Sequence, residues 1–251
     1  MLRRVYLRNR MDTQALAPHP APEAEEIYRR WLDYLNDEFT RHHAAERRGE
    51  IVREQLFQLY LGRPHGGLVL GATLTSELPS VILSLSLDPA NVTLEAESYP
   101  EIDRKLYAER KPLLWFWRMF DRSPVGRNLW LGLRFRAMLA RHICHHVGTG
   151  VRFSSGVDLT YGYNLEIGDG ATILEGALIN DRGGIEIGAG AVIGSFTRIF
   201  SHEHVASDYS KIALIPTHIG AGARIARHSI ILAGHDVPEE TILGEFPHEW
   251  A

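Results

Sequence analysis

Four segments of the chain open alike: VGTGVR at 147, IGDGAT at 167, IGAGAV at 187 and IGAGAR at 219. From each opening, large apolar residues recur at every sixth position. They are Val147, Phe153 and Leu159, then Ile167, Ile173 and Ile179, then Ile187, Ile193 and Ile199, then Ile219, Ile225 and Ile231. A period of six fits neither the 3.6-residue helix nor the two-faced strand. It marks a chain wound as a parallel β-helix. Three six-residue sides plus a two-residue extension make a 20-residue coil, the spacing from Val147 to Ile167 to Ile187. Successive coils stack as parallel strands about 4.8 Å apart. The sixth-position residues then face inward, and the small Ala171, Ala191 and Ala223 follow four places after an opening, where the prism narrows. Gly148, Gly168, Gly188 and Gly220 each follow an inward residue, where either a positive φ or a close approach of neighbouring backbone suits glycine. One coil cannot bury its own core, so stability comes from stacking.

The series breaks once. After Ile199 the next opening is due near position 207 but arrives at Ile219, which leaves twelve extra residues within FSHEHVASDYSKIALIPTH, residues 200–218. An insertion at the corner of a regular solenoid is a loop leaving the scaffold, and such loops carry function.

At 251 residues the chain has room for one large domain or two small ones. A net charge of −4 argues against a nucleic-acid binder, which shows a dominant basic face. Cys144 is the only cysteine, so no disulfide framework or thiolate metal cluster forms within one chain, as suits a reducing compartment. The opening MLRRVYLRNRMD is basic with no apolar stretch behind it, unlike a secretory signal. No uncharged run approaches the roughly 20 residues needed to span a bilayer. The expected location is the cytoplasm.

Residues 1–21, with three prolines in ALAPHPAP, read as a flexible arm. A mainly α-helical domain with a short extended section is expected over 22–146, the β-helix over 147–247 and a tail over 248–251. In the helical domain Ile27, Trp31, Leu35 and Phe39 recur every fourth position, and a second helical stretch covers about 51–61. Within 67–97, VILSLSL alternates and NVTLEAE holds β-formers, which predicts strands or extended chain. Helices rich in Trp, Arg and Leu follow over 101–122 and 124–146, through WFWRMF and LWLGLRFRAMLARHICHH. Arginine among aromatics suits an interfacial helix, so peripheral membrane contact through the 112–143 helices is one reading. The preferred one is a cap on the open end of the β-helix. His142, His145 and His146 close the last helix, where the dipole favours them; a metal role is the lesser alternative.

His202 and His204 in SHEH begin the inserted loop. Imidazole titrates near neutrality, so it can take a proton from a hydroxyl and pass it on. Counting along the coils, Asn180 and Asp181 lie one coil below Phe200 and Ser201, with Thr160, Tyr161 and Gly162 one coil lower. A polar ladder of Tyr161, Asn180, Asp181 and His202 is expected up one corner. Aspartate near histidine can orient the ring and stabilise its charged form, and asparagine can hold an acceptor hydroxyl. The plainer reading is a corner that faces water. Coincidence with the large insertion favours chemistry.

Residues 147–247 resemble the hexapeptide-repeat acyltransferases, and among them the sugar O-acetyltransferases of the galactoside and maltose type. The likeness rests on the repeats, on INDRGGIEIGAGAVIG running into FSHEH, on IPTHIGAGARI and on the ending HDVPEETILGEFP. The resemblance implies an α+β protein whose C-terminal part is a left-handed parallel β-helix of about four coils, an exception to the right-handed crossover rule. It implies a homotrimer with active sites between subunits. A histidine at the start of the loop would act as general base, moving an acyl group, most simply acetyl, from coenzyme A to a hydroxyl of a saccharide or related acceptor. By position that histidine is His202, with Asp181 as its catalytic partner. Asn180, Tyr161 and His204 would bind the acceptor.

Departures from the family fall near the cofactor. Where the family ends on a Gly-Asn-Pro-Ala-Lys type sequence, this chain reads GEFPHEWA and keeps Gly244 and Pro247. Arg224 replaces a tryptophan, Arg227 replaces a small serine, and a whole coil is missing before the ending. Arg224, Arg227 and Lys211 could meet the phosphates of acetyl-CoA or another acyl-CoA, beside Ala226 and Gly244, or form a solvated face. Serine acetyltransferases also place a helical domain before their β-helix, without SHEH. No metal is predicted. A metal hydratase of the γ-carbonic-anhydrase type, whose zinc takes three histidines, and a non-catalytic scaffold are the alternatives; the thirteen histidines do not match the spacing of the former.

Overall fold

The computed structural model describes residues 19–66 and 78–244. Most of the expected arm, and the whole of the expected tail, lie outside those residues. Five helices come first: α1 (Pro22–Arg41), α2 (Ala45–Leu61), α3 (Leu78–Ser86), α4 (Arg104–Arg122) and α5 (Leu129–Ile143). Local chemistry sets their ends. Proline fits the start of α1, whose first turn also holds Glu23 and Glu25 at the positive end of the dipole. Gly62 ends α2 in the left-handed conformation, at φ 64°. The Asp103 carboxylate accepts from the amides of Lys105 and Leu106 to start α4, and Asn128 caps α5 through the amide of Leu131.

Of the strands or extended chain expected within 67–97, no strand forms among the described residues, and extended backbone is found at Val92 and Leu94 between two short turns. VILSLSL lies in α3, and NVTLEAE contributes to short 3-10 turns at Pro89–Asn91 and Glu95–Ser98. The Asp88 carboxylate accepts from the amide of Ala90 and starts the first of these turns. Alternation over seven residues is too short to separate strand from helix without a partner strand. Residues 67–77 lie outside the description.

The Trp/Arg helices take the capping arrangement. Phe116, Trp117, Phe120 and Phe135 are buried, and the rings of Phe120 and Phe135 stack with centroids 3.8 Å apart. The Trp117 ring meets Phe153, the second inward residue of the first coil, edge-on at 5.3 Å. Its Nε1 donates to the Val157 carbonyl at 2.7 Å. Next to it the Arg118 Nε donates to Asp158 at 2.9 Å, and Asp121 accepts from the Gly156 amide at 2.7 Å. Helix α4 thus plugs the first turn with an aromatic ring and satisfies its polar edge.

From His146 the chain winds as a three-faced parallel solenoid. The first face stacks His146–Val147, Leu165–Ile167, Ile185–Ile187, Thr217–Ile219 and Asp236–Val237. The second and third faces hold five and four strands. The architecture matches the left-handed β-helix, with helices and sheets segregated along the chain. Of the twelve sixth-position residues, eleven are buried and Val147 is half-buried, so the column faces inward as the period requires. About four coils were expected, and there are about five. The period in fact runs on from Ile231 to Val237 and Leu243, which pair onto the fourth turn.

The glycines after each inward residue serve close approach, not positive φ. A Cβ on Gly168 would lie 2.5 Å from the amide nitrogen of Ala189 in the next turn. Positive φ falls elsewhere in the coil. At the corner between the second and third faces, Gly156 and Gly176 are succeeded in higher turns by Phe196 (φ 59°) and His228 (φ 60°). Bulky side chains are strained there, and these two stack at 5.2 Å.

Truncation at the plug tests this reading of the cap. Trp117→Ala should destabilise the protein by about 3–5 kcal/mol, measured by denaturant unfolding. Trp117→Phe, which keeps the ring but leaves the Val157 carbonyl unmet, should cost about 1–3 kcal/mol.

Candidate functional site

The excursion leaves the prism at the corner between its third and first faces. Asn180 pairs with Phe200 across the third face, and the Ser201 amide donates to the Asn180 carbonyl at 3.2 Å. The register counted from the sequence is the one observed. The chain then folds out as an antiparallel hairpin, His202–Val205 against Asp208–Leu214. Its neck is closed by the Ile215 amide, which donates to the Ser201 carbonyl at 2.9 Å, and by the Thr217 hydroxyl, which donates to the Phe200 carbonyl at 2.7 Å. His202 therefore sits at the root, where the hairpin is anchored to the solenoid.

A corner turns backbone amides away from the ladder, and buried side chains take them up. The Asp181 carboxylate, fully buried, accepts from the amides of Tyr161 at 2.8 Å and Asn164 at 3.2 Å. Burial pushes its carboxyl up to about 6, against the pull of those bonds. Ser201 is also fully buried; its hydroxyl donates to the Asn180 carbonyl at 2.8 Å and accepts from the Gly183 amide at 2.9 Å.

His202 is half-buried, and its Nδ1 is buried without a hydrogen-bond partner among the described residues. Burial, then the charges of Arg182 and His204, hold its pKa below the ordinary histidine value, with Glu101 opposing. That shift favours the neutral ring, which keeps a lone pair. Asp181 does not orient it. Both carboxylate oxygens of Asp181 are turned to amides of the coil below, and no hydrogen bond joins it to His202 among the described residues.

The acceptor-side candidates divide. Asn180 is 9% exposed, and its Oδ1 is buried with no partner among the described residues. Tyr161 is fully buried, stacked on Tyr163 at 4.9 Å, and its hydroxyl donates to Glu101 at 3.0 Å. It therefore supports the corner from below, where no acceptor reaches it. His204 lies on the exposed hairpin with its ring stacked on Tyr209 at 4.1 Å, and its Nδ1 donates to the Tyr209 carbonyl at 2.8 Å.

The cofactor candidates also divide. Lys211 is on the hairpin, paired with Asp208 at 3.1 Å. Arg224 is on the second face and Arg227 at the corner that follows it, both exposed and without a side-chain partner among the described residues. Gly244 packs against Ala226 at that same corner, where a Cβ on it would lie 2.8 Å from that of Ala226. Arg224, Arg227 and Gly244 thus lie on the second face and the corner after it, apart from the corner that carries the hairpin. Pro247 lies outside the described residues. Among the described residues no three His, Cys, Asp or Glu side chains assemble as a metal site, and no helix is long and apolar enough to cross a membrane.

Sequence reasoning missed Glu101, Arg182 and Tyr99. Arg182 donates to Glu101, and its guanidinium lies 3.9 Å over the Tyr99 ring. Arg182 stood in plain view in INDRGG; Glu101 comes from 81 residues away in the helical half, and no local pattern announces it.

The raised Asp181 carboxyl has a measurable sign. Its folded value, about 6, exceeds the ordinary aspartate value near 3.8, so the folded state binds more protons between them. This group's contribution to stability is full below about pH 4 and is lost as pH rises through about 6. Melting curves at pH 4–7 should show Asp181→Asn losing that component of the decline relative to the parent protein.

The chain matches no family model and no curated protein. Solved structures similar to it include a hexapeptide-repeat acetyltransferase from Vibrio cholerae, 20% identical with a TM-score of 0.41 over 62% of this chain and 90% of that one. The same Vibrio protein in complex with acetyl coenzyme A aligns with a TM-score of 0.42 and 20% identity, over 64% and 94% of the two chains. A maltose O-acetyltransferase from Clostridium difficile is 21% identical, with a TM-score of 0.40 over 57% of this chain and 84% of the other.

Proposed function

We propose that the protein is an acyl-CoA-dependent O-acyltransferase, transferring an acetyl or similar group to a hydroxyl of a saccharide or related acceptor. One observation carries this reading. A neutral, half-buried histidine with an unpartnered ring nitrogen stands at the root of the hairpin that interrupts a hexapeptide solenoid. An imidazole kept neutral near pH 7 is suited to general-base work, and with Nδ1 closed off by burial it is Nε2 that would meet a substrate proton. His202 would take the acceptor's hydroxyl proton as that oxygen attacks the thioester carbonyl. The carbon–oxygen bond forms, the tetrahedral intermediate expels the thiolate, and His202 returns the proton to the departing sulfur. Asn180 would hold a neighbouring hydroxyl of the acceptor through its amide Nδ2, its Oδ1 being buried.

The unpartnered Arg224 and Arg227 fit the phosphates of coenzyme A chemically. Arg224 lies on the second face and Arg227 at the corner after it, apart from His202, and a site shared between subunits of the homotrimer that the resemblance implies would bring them together. The reading places the protein in the cytoplasm, where acyl-CoA is made available.

Thiol release from acetyl-CoA in the presence of a saccharide panel tests this. His202→Ala should lose about 10²–10⁴-fold in rate while assembly by sedimentation is unchanged; an undiminished rate would remove His202 from the mechanism. Acetyl-CoA should also raise the melting temperature in a concentration-dependent way, since a ligand bound only by the folded state stabilises it.

A further inference from the structure

A base that takes a proton becomes a cation, and in a half-buried place the neighbouring charges count for more than they would in water. The solenoid charge that acts on the ring is unfavourable: Arg182 works against a positive His202. Asp181 gives no relief there, because backbone amides occupy it. We propose that Glu101, brought in by the helical half, is the positioning residue for His202: held by Arg182 and Tyr161 through one oxygen, it offsets the guanidinium and leaves its second oxygen unbonded at the corner that holds the imidazole. The role rests on His202 being the base; the charge coupling itself does not.

The geometry favours this over simple adhesion between the two halves. Oε1 of Glu101 accepts both the Arg182 Nε and the Tyr161 hydroxyl, the latter at 3.0 Å, while Oε2 is buried with no partner among the described residues. The pair is deeply placed, with side-chain exposure of 4% for Arg182 and 13% for Glu101. A buried ion pair is a poor fastening, since apolar residues of similar size often serve as well or better. Unmet buried polar atoms are costly and call for an explanation. Of the seven such side-chain atoms among the described residues, three belong to Glu101, Asn180 and His202 at this one corner. Burial alone would raise the Glu101 carboxyl, but the bonds from Arg182, its own amide and Tyr161 bring it below the ordinary value, so it stays ionised. The charged groups acting on His202 are Arg182 from the solenoid, His204 from the hairpin and Glu101 from the helical half. Tyr99, under the guanidinium at 3.9 Å, fixes where the positive charge lies.

The test reads the ring directly. The intact protein, with ring-labelled histidine, is titrated by NMR, and His202 is assigned by the loss of its signals in His202→Gln. Glu101→Gln should lower the proton affinity of His202 by about threefold or more, and Arg182→Met should raise it by a similar factor, as expected for nearby charges of opposite sign. Both variants break the same ion pair, so a mere fastening would move the midpoint in neither or in the same direction. Glu101→Asp should restore most of the parent value. Thermal melts establish that each variant is folded, and if Glu101→Gln is not, Arg182→Met carries the comparison. Unchanged midpoints, or shifts of one sign, overturn the proposal. Thiol release from acetyl-CoA is measured alongside, with kcat expected to fall in Glu101→Gln more than KM rises. A parent protein that transfers no acyl group to any saccharide tried would overturn the acyltransferase reading, while the titration would still decide the coupling of Glu101 to His202.

Discussion

The interior of a stacked solenoid has no natural end, so its first coil exposes an apolar cross-section unless something covers it. Here that cover is made by α5, which runs against the strands of the first coil, and by α4, which sets Trp117 against Phe153 and answers the polar edge of the coil with Trp117, Arg118 and Asp121. The placement of everything before it follows. The Asp103 amide, at the helix start, donates to the Tyr163 hydroxyl at 3.0 Å, which pins the N-terminal end of α4 to the hairpin corner. Two residues earlier in the chain, Glu101 is thereby delivered to Arg182. A constraint on packing at the base of the prism thus decides which carboxylate stands near the hairpin root.

The two kinds of corner illustrate how the solenoid separates structure from chemistry. At the corner between the second and third faces, turns are made with glycine or with strained aromatic residues that stack on one another. At the corner between the third and first faces, the turns are supported by buried polar groups, Asp181 and Ser201 foremost. Every hydrogen bond those groups make goes to backbone of the adjoining coils, so their first duty is to hold the corner together. The atoms left over belong to Asn180, His202 and Glu101. A polar corner is needed for folding in any case, and these three atoms are what folding leaves unbonded there.

Much of the solenoid was legible in the sequence because its interactions are local and periodic. Ile179 and Ile199 stack because they are twenty residues apart, and the same count puts Asn180 opposite Phe200. The hairpin could be found because it breaks the count. The fifth turn continues the same period through Val237 and Leu243 but lacks the glycine-bearing opening that announces the other coils. Asp181 was assigned to His202 on adjacency in the coil. Adjacency leaves open which way a carboxylate turns, and two unpaired amides of the coil below decided it. Residues 81–87 read as strand by alternation, yet the described chain gives them no partner strand, and they lie in or beside α3. Glu101 could not have been found at all without the fold, because the contact joins two regions through the cap.

The hairpin rejoins the stack without disturbing it. Ile219 pairs with Ile187 as directly as Ile187 pairs with Ile167, although thirty-two positions separate the first two and twenty the second. The neck bonds at Ser201, Ile215 and Thr217 close the excursion on itself. Lengthening the tip beyond Val205 therefore adds only a slowly growing entropic term and leaves the coils in step. The hairpin can then change in length and sequence as a cassette while the prism beneath keeps its count.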